Sequence, residues 1–276
     1  MSMTGRLVLC ATPIGHLGDA SPRLAAALAE ADVVLSEDTR RARVLLDHLG
    51  VETRPESYHA GNEADRSGRL AQLLEGGASV ALISDAGTPA VADPGLSAVR
   101  IARQVGAEVS VIPGPSAVVA ALAVSGLPSE RFVFEGFLPR RGKERSAHLA
   151  ALVAEVRTIV LFSATARVVQ DLSALAAALG DDRRITVSRE LTKAHEEVWS
   201  GTLGGAVEEW SRRRPLGEFT LVVQGSPGRV PPIERAVGEI NTRIQAGEPM
   251  SEAVRRVADG LGMARRTLYE AVLRQD

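Results

Sequence analysis

The sequence of 276 residues contains one cysteine and few aromatic residues. A single cysteine excludes disulfides and cysteine metal clusters within one chain, and because Cys10 lies in an apolar run we expect a buried structural thiol. Aromatic residues make up 3% of the chain, which argues against a stacking platform for single-stranded bases. The five histidines are scattered without metal-ligand spacing, so we predict no bound metal.

Long apolar runs and a strong net charge are also missing. No stretch approaches the length of a membrane span, and no hydrophobic signal segment precedes the first strand-like run, so we expect a cytoplasmic protein with no membrane partner. A net charge of -2 argues against a protein that coats nucleic acid by overall positive charge, while local basic patches remain possible. Neither G-x-G-x-x-G nor G-x-x-x-x-G-K-[ST] occurs, which weakens nicotinamide and nucleoside triphosphate interpretations.

The sequence does show a regular alternation of strand-like and helix-like segments. Its length and its hydrophobic content of 45% predict two medium domains rather than one. The first, residues 1–126, has strand-like and helix-like runs in alternation, which predicts a parallel sheet covered by helices on both faces. The predicted strands are 6–11, 33–37, 79–84 and 108–113, and the predicted helices lie near 21–31, 40–49, 63–76, 95–106 and 116–125.

A second α/β domain is predicted over residues 127–230, after the pattern stops near 125–129. Its strand-like and helix-like runs predict a mixed sheet. The strands are 131–137, 158–162, 184–188, 196–203 and 219–223, and the helices lie near 145–155, 166–179 and 204–213. A Pro/Gly segment at 225–232 is typical of a linker. Residues 231–276 predict two or three helices, with a helix-turn-helix-like unit over 250–269.

Two Gly/Pro-rich loops follow buried strands of the first domain, at 84–95 and 113–117. Ligands of α/β sheets bind at the carboxyl ends of the strands, so these loops are candidates for a binding site. Glycines such as Gly87 let the backbone approach a ligand, and the prolines stiffen the loops. A third loop, 11–19, follows the first strand, and there an ordinary loop and a ligand loop are equally good interpretations.

Charged side chains gather at two other predicted strand ends. Glu37 and Arg40 follow the second strand, and Glu190 and Lys193 follow a strand of the second domain. Both sets could belong to a functional site. For the first set, a helix start that is stabilised by acidic side chains is an equally good interpretation. For the second set, the alternative is a solvated charged surface. Basic clusters that suit phosphate binding or simple solubility are Arg140, Arg141 and Lys143, and Arg265 and Arg266.

Seven motifs occur in an order that resembles one known family. They are TPIGHL at 12–17, SEDTR at 36–40, SDAGTP at 84–89 with DPG at 93–95, PGPSA at 113–117, GLPS at 126–129, EGFLP at 135–139 and RELTK at 189–193. Together they resemble the RNA-acting branch of the tetrapyrrole methylase family, over residues 6–225. Two departures are His16, where the family usually has asparagine, and Ser163, where it usually has glutamate, and the second bears on the cofactor or RNA pocket.

The resemblance implies two α/β domains with S-adenosylmethionine between them, and a homodimer. It also implies 2′-O-methylation of a cytidine ribose in the decoding centre of 16S ribosomal RNA, within the small ribosomal subunit. The cofactor contacts that it implies are Pro13, Asp85, Gly87, Thr88, Pro89, Asp93, Ser116, Ala117, Phe162, Leu191 and Val222.

Methyl transfer to a ribose hydroxyl needs alignment and a group that deals with the hydroxyl proton. Lys193 is the first candidate, as an electrostatic stabiliser or, if burial lowers its pKa, as the base. Glu190, Glu37 and Arg40 complete the predicted catalytic set, and a purely structural salt bridge between Glu190 and Lys193 is the alternative. The basic residues Arg140, Arg141, Lys143, Arg265 and Arg266 are predicted to hold RNA.

Two other functions stay open at this point. A tetrapyrrole C-methyltransferase would need a wide cleft lined with cations for the carboxylates of the macrocycle. A ribosome-binding or assembly module would keep the fold without turnover.

Overall fold

The described residues form two five-stranded sheets covered by eight α-helices, and three further helices at the C-terminal end. The computed structural model describes residues 5–227 and 233–274. Residues 228–232 of the predicted linker, and with them the predicted boundary at 230, lie outside the described residues. Within the described part, no helix is long and apolar enough to cross a membrane. We propose 1–126, 127–230 and 231–276 as the limits of the three parts.

The first sheet is entirely parallel, with the strand order β3-β2-β4-β1-β5. Its strands are β1 Arg6–Cys10, β2 Val33–Ser36, β3 Pro55–Ser57, β4 Ser79–Ile83 and β5 Glu108–Ile112. Its helices are α1 Pro22–Glu30, α2 Thr39–Leu49, α3 Glu63–Glu75, α4 Leu96–Gln104 and α5 Ala117–Val124. The predicted parallel sheet is confirmed. Only β3 was missed, because three residues of the sequence Pro-Glu-Ser form no apolar run.

Apolar side chains cover both faces of this sheet. Leu28 of α1 and Leu46 of α2 pack on one face, and Leu74 of α3 and Ala102 of α4 pack on the other. Burying each leucine contributes about 2 kcal/mol, so the two layers hold the central strands firmly. Cys10 is fully buried in this core, and burial raises the pKa of its thiol to about 12. The thiol is therefore unreactive, as the sequence predicts.

The second sheet is mixed, with the order β6-β7-β10-β8-β9. Its strands are β6 Phe132–Phe137, β7 Thr158–Ser163, β8 Arg184–Arg189, β9 Glu197–Thr202 and β10 Phe219–Val223, and its helices are α6 Gly142–Val153, α7 Val168–Leu179 and α8 Leu203–Ser211. β6 and β7 are parallel, whereas β10 runs antiparallel to both β7 and β8. The start of β10 therefore lies beside the carboxyl ends of its two neighbours.

Helix α5 connects the two domains. Its sequence, AVVAALAV, has no polar side, which is typical of a helix that packs between layers. Val118, Ala121 and Leu122 of this helix belong to one buried cluster with Val160 of β7 and Val222 of β10. The first turn of α5, and the loop before it, therefore face the second sheet.

The three C-terminal helices enclose a small core of their own. They are α9 Ile233–Gln245, α10 Met250–Leu261 and α11 Arg265–Leu273. Ile240, Val257 and Leu268 are buried at their common centre. The turn between α10 and α11 begins at Gly262, whose φ of 65° is in the left-handed region that favours glycine.

Candidate active site

A cavity of about 510 Å³ lies between the two domains, at the carboxyl edge of the first sheet. Its volume is in the range of about 300–1,000 Å³ that is usual for small-molecule sites. Loops after β1, β2, β4 and β5 form one wall, and the ends of β7 and β8 with the start of β10 form the other. Of the predicted cofactor contacts, those that line the cavity are Asp85, Gly87, Thr88, Asp93, Ser116, Ala117, Phe162 and Leu191.

Three predicted contacts lie elsewhere. Pro13 borders a separate cavity of about 70 Å³, and Pro89 is buried outside the lining. Val222 is fully buried beneath α5, while Thr220, on the same face of β10, lines the cavity. Val222 therefore stays a predicted contact that does not line the cavity. Because β10 is antiparallel to its neighbours, the start of the strand and not its end reaches the cavity.

The cavity is acidic. Glu37, Asp85, Asp93 and Glu218 line it, and of the described lining residues only Arg41 is basic. The Arg41 guanidinium pairs with Asp85 at 3.3 Å. Burial, together with the neighbouring carboxylates, raises the pKa of Asp93 to about 6, and burial and the charge of Asp85 also raise the pKa of Glu37. The site therefore favours a ligand with positive charge.

The loop between β4 and α4 is held in a strained conformation. Ala90 and Ala92 have φ values of 68° and 62°, which cost a non-glycine residue about 1 kcal/mol or more. Gly95 has a φ of 133°, and a Cβ there would lie 2.9 Å from Leu82. The Gly95 N–H donates to Glu63 Oε1 at 2.9 Å, which fixes the end of the loop. The wall that carries Asp93 is therefore shaped before any ligand arrives.

Lys193 is held as a cation at the rim of the cavity. Its Nζ donates to Glu190 Oε1 at 2.9 Å and to Glu218 Oε2 at 3.0 Å. Burial lowers the pKa of Lys193, but the two hydrogen bonds and the charges of these carboxylates outweigh it and raise the pKa. The hypothesis that burial makes Lys193 a base is therefore wrong. The salt bridge between Glu190 and Lys193 is present.

The other predicted catalytic residues differ in their surroundings. Glu190 accepts the N–H of Glu218 at 2.8 Å, and although burial alone would raise the pKa of Glu190, its hydrogen bonds lower it. Arg40 has a side chain that is 90% exposed and pairs with Asp38 at 2.8 Å, outside the cavity. Of the four, only Glu37 lines the cavity.

Comparison with known proteins places this fold and site in a family. Residues 6–207 match the model of the Tetrapyrrole (Corrin/Porphyrin) Methylases. The chain belongs to this family. It is 41% identical over 272 residues to ribosomal RNA small subunit methyltransferase I of Synechocystis sp., covering 98% of each chain. It is 44% identical over 273 residues to the protein of that name from Mycobacterium tuberculosis (strain CDC 1551 / Oshkosh), covering 98% of this chain and 95% of the relative.

A solved structure supports the same fold. The methyltransferase CobJ superposes with a TM-score of 0.61 at 20% identity, covering 81% of this chain and 95% of that chain. The predicted family resemblance and the predicted α/β architecture are therefore confirmed. The chain is a methyltransferase of the tetrapyrrole methylase family, and its chemistry requires a methyl donor.

His16, the first departure from the usual family sequence, lies in a contact between the domains. Its N–H donates to Thr192 Oγ1 at 3.2 Å, and its Nδ1 accepts the N–H of Gly18 at 3.1 Å. An asparagine side chain can make the same cap, so the exchange preserves the turn. The preceding Gly15 fits closely against the second domain, because a Cβ there would lie 2.4 Å from Lys193 Cγ.

Ser163, the second departure, contacts a buried ion cluster. Its Oγ donates to Asp171 Oδ2 at 2.7 Å, and Asp171 Oδ1 accepts from Arg145 at 2.9 Å and from Arg167 at 3.3 Å. Asp171, which is 3% exposed, thus places a buried carboxylate beside Ser163. Both guanidinium groups also donate to the carbonyl of Pro139, so the cluster fixes the start of the loop before α6.

The predicted RNA contacts are all exposed, in two different settings. Arg140 and Arg141 directly precede α6, and Lys143 lies in its first turn. These basic residues directly follow Pro139, whose carbonyl accepts hydrogen bonds from the buried ion cluster. Arg265 pairs with a carboxylate of α10 at 2.9 Å, and Arg266 pairs with one of its own helix at 2.9 Å. Partly neutralised by these partners, the C-terminal pair offers phosphate less charge than its two arginines suggest.

Gly15→Ala is expected to lower the free energy of unfolding by about 1–3 kcal/mol, because the added methyl group overpacks the contact between the domains. Urea unfolding measures the change. Gly68→Ala is the matched control. Gly68 lies inside α3 with no atom within 4 Å of its added Cβ, so that variant should be neutral or slightly more stable. Equal midpoints for the two variants would contradict the close fit at Gly15.

Asp171→Asn is expected to cost about 3–5 kcal/mol of stability, because it leaves the buried guanidinium of Arg145 and the partly buried one of Arg167 without their carboxylate. Glu239→Gln removes one partner of an exposed pair with Arg243 and should cost less than about 1 kcal/mol. The double variant Ser163→Asp with Asp171→Ser exchanges the hydroxyl and the carboxylate of the 2.7 Å contact. It keeps a carboxylate in the cluster and should therefore recover part of the lost stability. Denaturant titration of the four proteins checks this order, and a loss at Asp171 no larger than that at Glu239 would refute it.

Proposed function

We propose that the chain methylates the 2′-hydroxyl of a cytidine in the decoding centre of 16S ribosomal RNA, with S-adenosylmethionine as the donor. The acidic cavity between the domains is the observation that supports this most directly, because a sulfonium donor is a cation. Relatives that match 95% or more of their length carry the name ribosomal RNA small subunit methyltransferase I, which supports the choice of RNA. The proposed partner is the small ribosomal subunit, and the proposed state is a homodimer.

The lining residues fit this donor in charge and polarity. Asp85 and Asp93 offer carboxylates to its ammonium and sulfonium groups, and Phe162 and Leu191 offer apolar contact to its adenine. Gly87, with a φ of 84°, lets the loop backbone come close. When bound, S-adenosylmethionine supplies a methyl group on a positively charged sulfur. The proposed cofactor residues are Asp85, Gly87, Thr88, Asp93, Ser116, Ala117, Phe162 and Leu191.

Glu37 is the proposed proton acceptor for the ribose hydroxyl. It lines the cavity at the end of β2, and its raised pKa makes it a stronger base than an ordinary carboxylate. Lys193, kept protonated by Glu190 and Glu218, is the proposed electrostatic stabiliser at the rim. The exposed loop that carries Arg140, with the C-terminal arginines, is proposed to hold RNA phosphates.

The acidic lining also weighs against a tetrapyrrole acceptor. A macrocycle with several carboxylates would meet Glu37 and Asp85 of the first domain and Glu218 of the second, and like charges at short distance repel. An assembly module without turnover would need neither a proton acceptor of raised pKa nor a preformed strained loop.

Methylation of small ribosomal subunits that lack the modification tests the proposed function. With S-adenosylmethionine present, mass spectrometry of nuclease digests should show a new 2′-O-methylcytidine in 16S ribosomal RNA. Glu37→Gln should lower the single-turnover rate by about 10²–10⁴ because it removes the proton acceptor. Glu52→Gln, an exposed position before β3, is the control and should act at the normal rate. No methyl group in the RNA after incubation with the unaltered protein would reject the function.

Donor affinity should rise between pH 5 and pH 7. Asp93 has a pKa of about 6, so it is mostly neutral at the lower pH and mostly ionised at the higher one, and a cation binds the ionised form better. Asp93→Asn should bind more weakly at pH 7 and lose most of this pH dependence. Isothermal titration calorimetry with S-adenosylmethionine measures both effects. The same pH dependence in Asp93→Asn would place the positive charge away from this side chain.

A further inference from the structure

An open depression of about 550 Å³ adjoins the cavity on the outer side of β2 and β3. Its polar lining includes Arg40, Ser57 and His59, and it shares Glu37 and Asp85 with the cavity. We propose that this depression binds the acceptor nucleoside, a single unpaired ribonucleoside presented by the RNA. The assignment rests on the proposed function and adds the place where its substrate binds.

The depression and the cavity share a wall that contains Glu37 and Asp85. Methyl transfer is an in-line displacement, so the donor and the acceptor must meet at adjoining sites. Glu37 borders both spaces, so a hydroxyl in the depression and a donor in the cavity can face each other directly with this carboxylate beside the hydroxyl. The small cavity that also borders Asp85 has a volume of about 70 Å³, which is too small for a nucleoside.

The lining has the groups that recognise an unpaired nucleotide. Arg40 presents a planar guanidinium, which two contacts fix to Asp38, Nε to Oδ1 at 3.1 Å and Nη2 to Oδ2 at 2.8 Å. His59 Nδ1 accepts the N–H of Gly61 at 3.1 Å, so the neutral ring carries its proton on Nε2 as a donor. Imidazole rings and guanidinium planes stack on splayed bases and bond to their edges. These two side chains thus replace the aromatic platform that the chain lacks.

Hydrogen bonds hold the loop that carries His59 in place. Asn62 Oδ1 accepts the N–H of His59 at 2.8 Å, and Asn62 Nδ2 donates to the carbonyl of Ser57 at 3.2 Å. The buried Tyr58 hydroxyl lies 2.6 Å from Ser97 Oγ of α4, which holds the loop to the body of the domain. Because the loop does not have to be ordered on binding, its contacts contribute more of their energy to affinity.

This placement changes the expected role of Arg40. The sequence groups Arg40 with the catalytic residues, whereas its side chain lies in the depression and outside the cavity. We therefore assign it to the binding of the acceptor. The assignment predicts a change in the KM for the RNA substrate and no change in the binding of the donor.

Steady-state methylation of small ribosomal subunits tests the assignment. His59→Ala and Arg40→Ala should each raise the KM for the subunit by about fivefold to a hundredfold, the range that loss of one stacking contact gives. Their affinity for S-adenosylmethionine, measured by calorimetry, should stay within twofold of the unaltered protein. His48→Ala and Arg43→Ala are the matched controls, because both residues lie on the exposed side of α2 away from the depression, and Arg43 pairs with Asp47 at 2.9 Å. Both controls should keep the normal KM.

A normal KM in His59→Ala and Arg40→Ala overturns the assignment. Weaker donor binding in either variant also overturns it, because the depression would then belong to the donor site. If the unaltered protein does not methylate ribosomal RNA, the proposed function fails and the assignment fails with it. Should His59→Ala not fold, His59→Asn, which keeps an acceptor for the Gly61 N–H, carries the same test.

Discussion

The packing of helix α5 on the second sheet is the interaction on which the rest of the structure depends. Val118, Ala121 and Leu122 pack in one buried apolar cluster with Val160 and Val222 of the sheet. The loop after β1 also reaches the second domain, where the His16 N–H donates to Thr192 Oγ1. The carboxyl edge of the first sheet is thereby placed opposite the ends of β7 and β8, and a cavity remains between them.

Bringing these edges together also concentrates negative charge. Glu37 and Asp85 come from one domain and Glu218 from the other, so the negative charge of the cavity arises only when the two domains pack together. Burial, together with these neighbouring carboxylates, raises the pKa of Asp93, and Glu218 with Glu190 holds Lys193 as a cation. Repulsion among these groups is a cost of folding that a cationic ligand would relieve, which links the packing of the domains to the chemistry of methyl transfer.

The sequence predicts the strands well and the side-chain directions poorly. Central strands such as β1 and β4 are buried on both faces, so they read as continuous apolar runs. Glu37 and Arg40 are three residues apart, yet only Glu37 enters the cavity, because Arg40 lies in the first turn of α2 and bends back to Asp38. The Ser163 hydroxyl donates to Asp171, which lies eight positions later on α7, and this contact depends on how α7 packs in the folded protein. The sequence places a cofactor contact at Val222, near the end of β10, whereas the start of this strand lines the cavity, because the local pattern does not indicate strand direction.

A crystal structure with S-adenosylmethionine bound tests most directly whether the packing of the two domains forms the donor site. We expect the donor in the cavity between the domains, with its positively charged groups near Asp85 and Asp93 and its adenine against Phe162 and Leu191. We also expect little movement of the strained loop after β4. A donor bound outside this cavity, or one that reaches it only after the contact of α5 with the second sheet has come apart, would contradict the account.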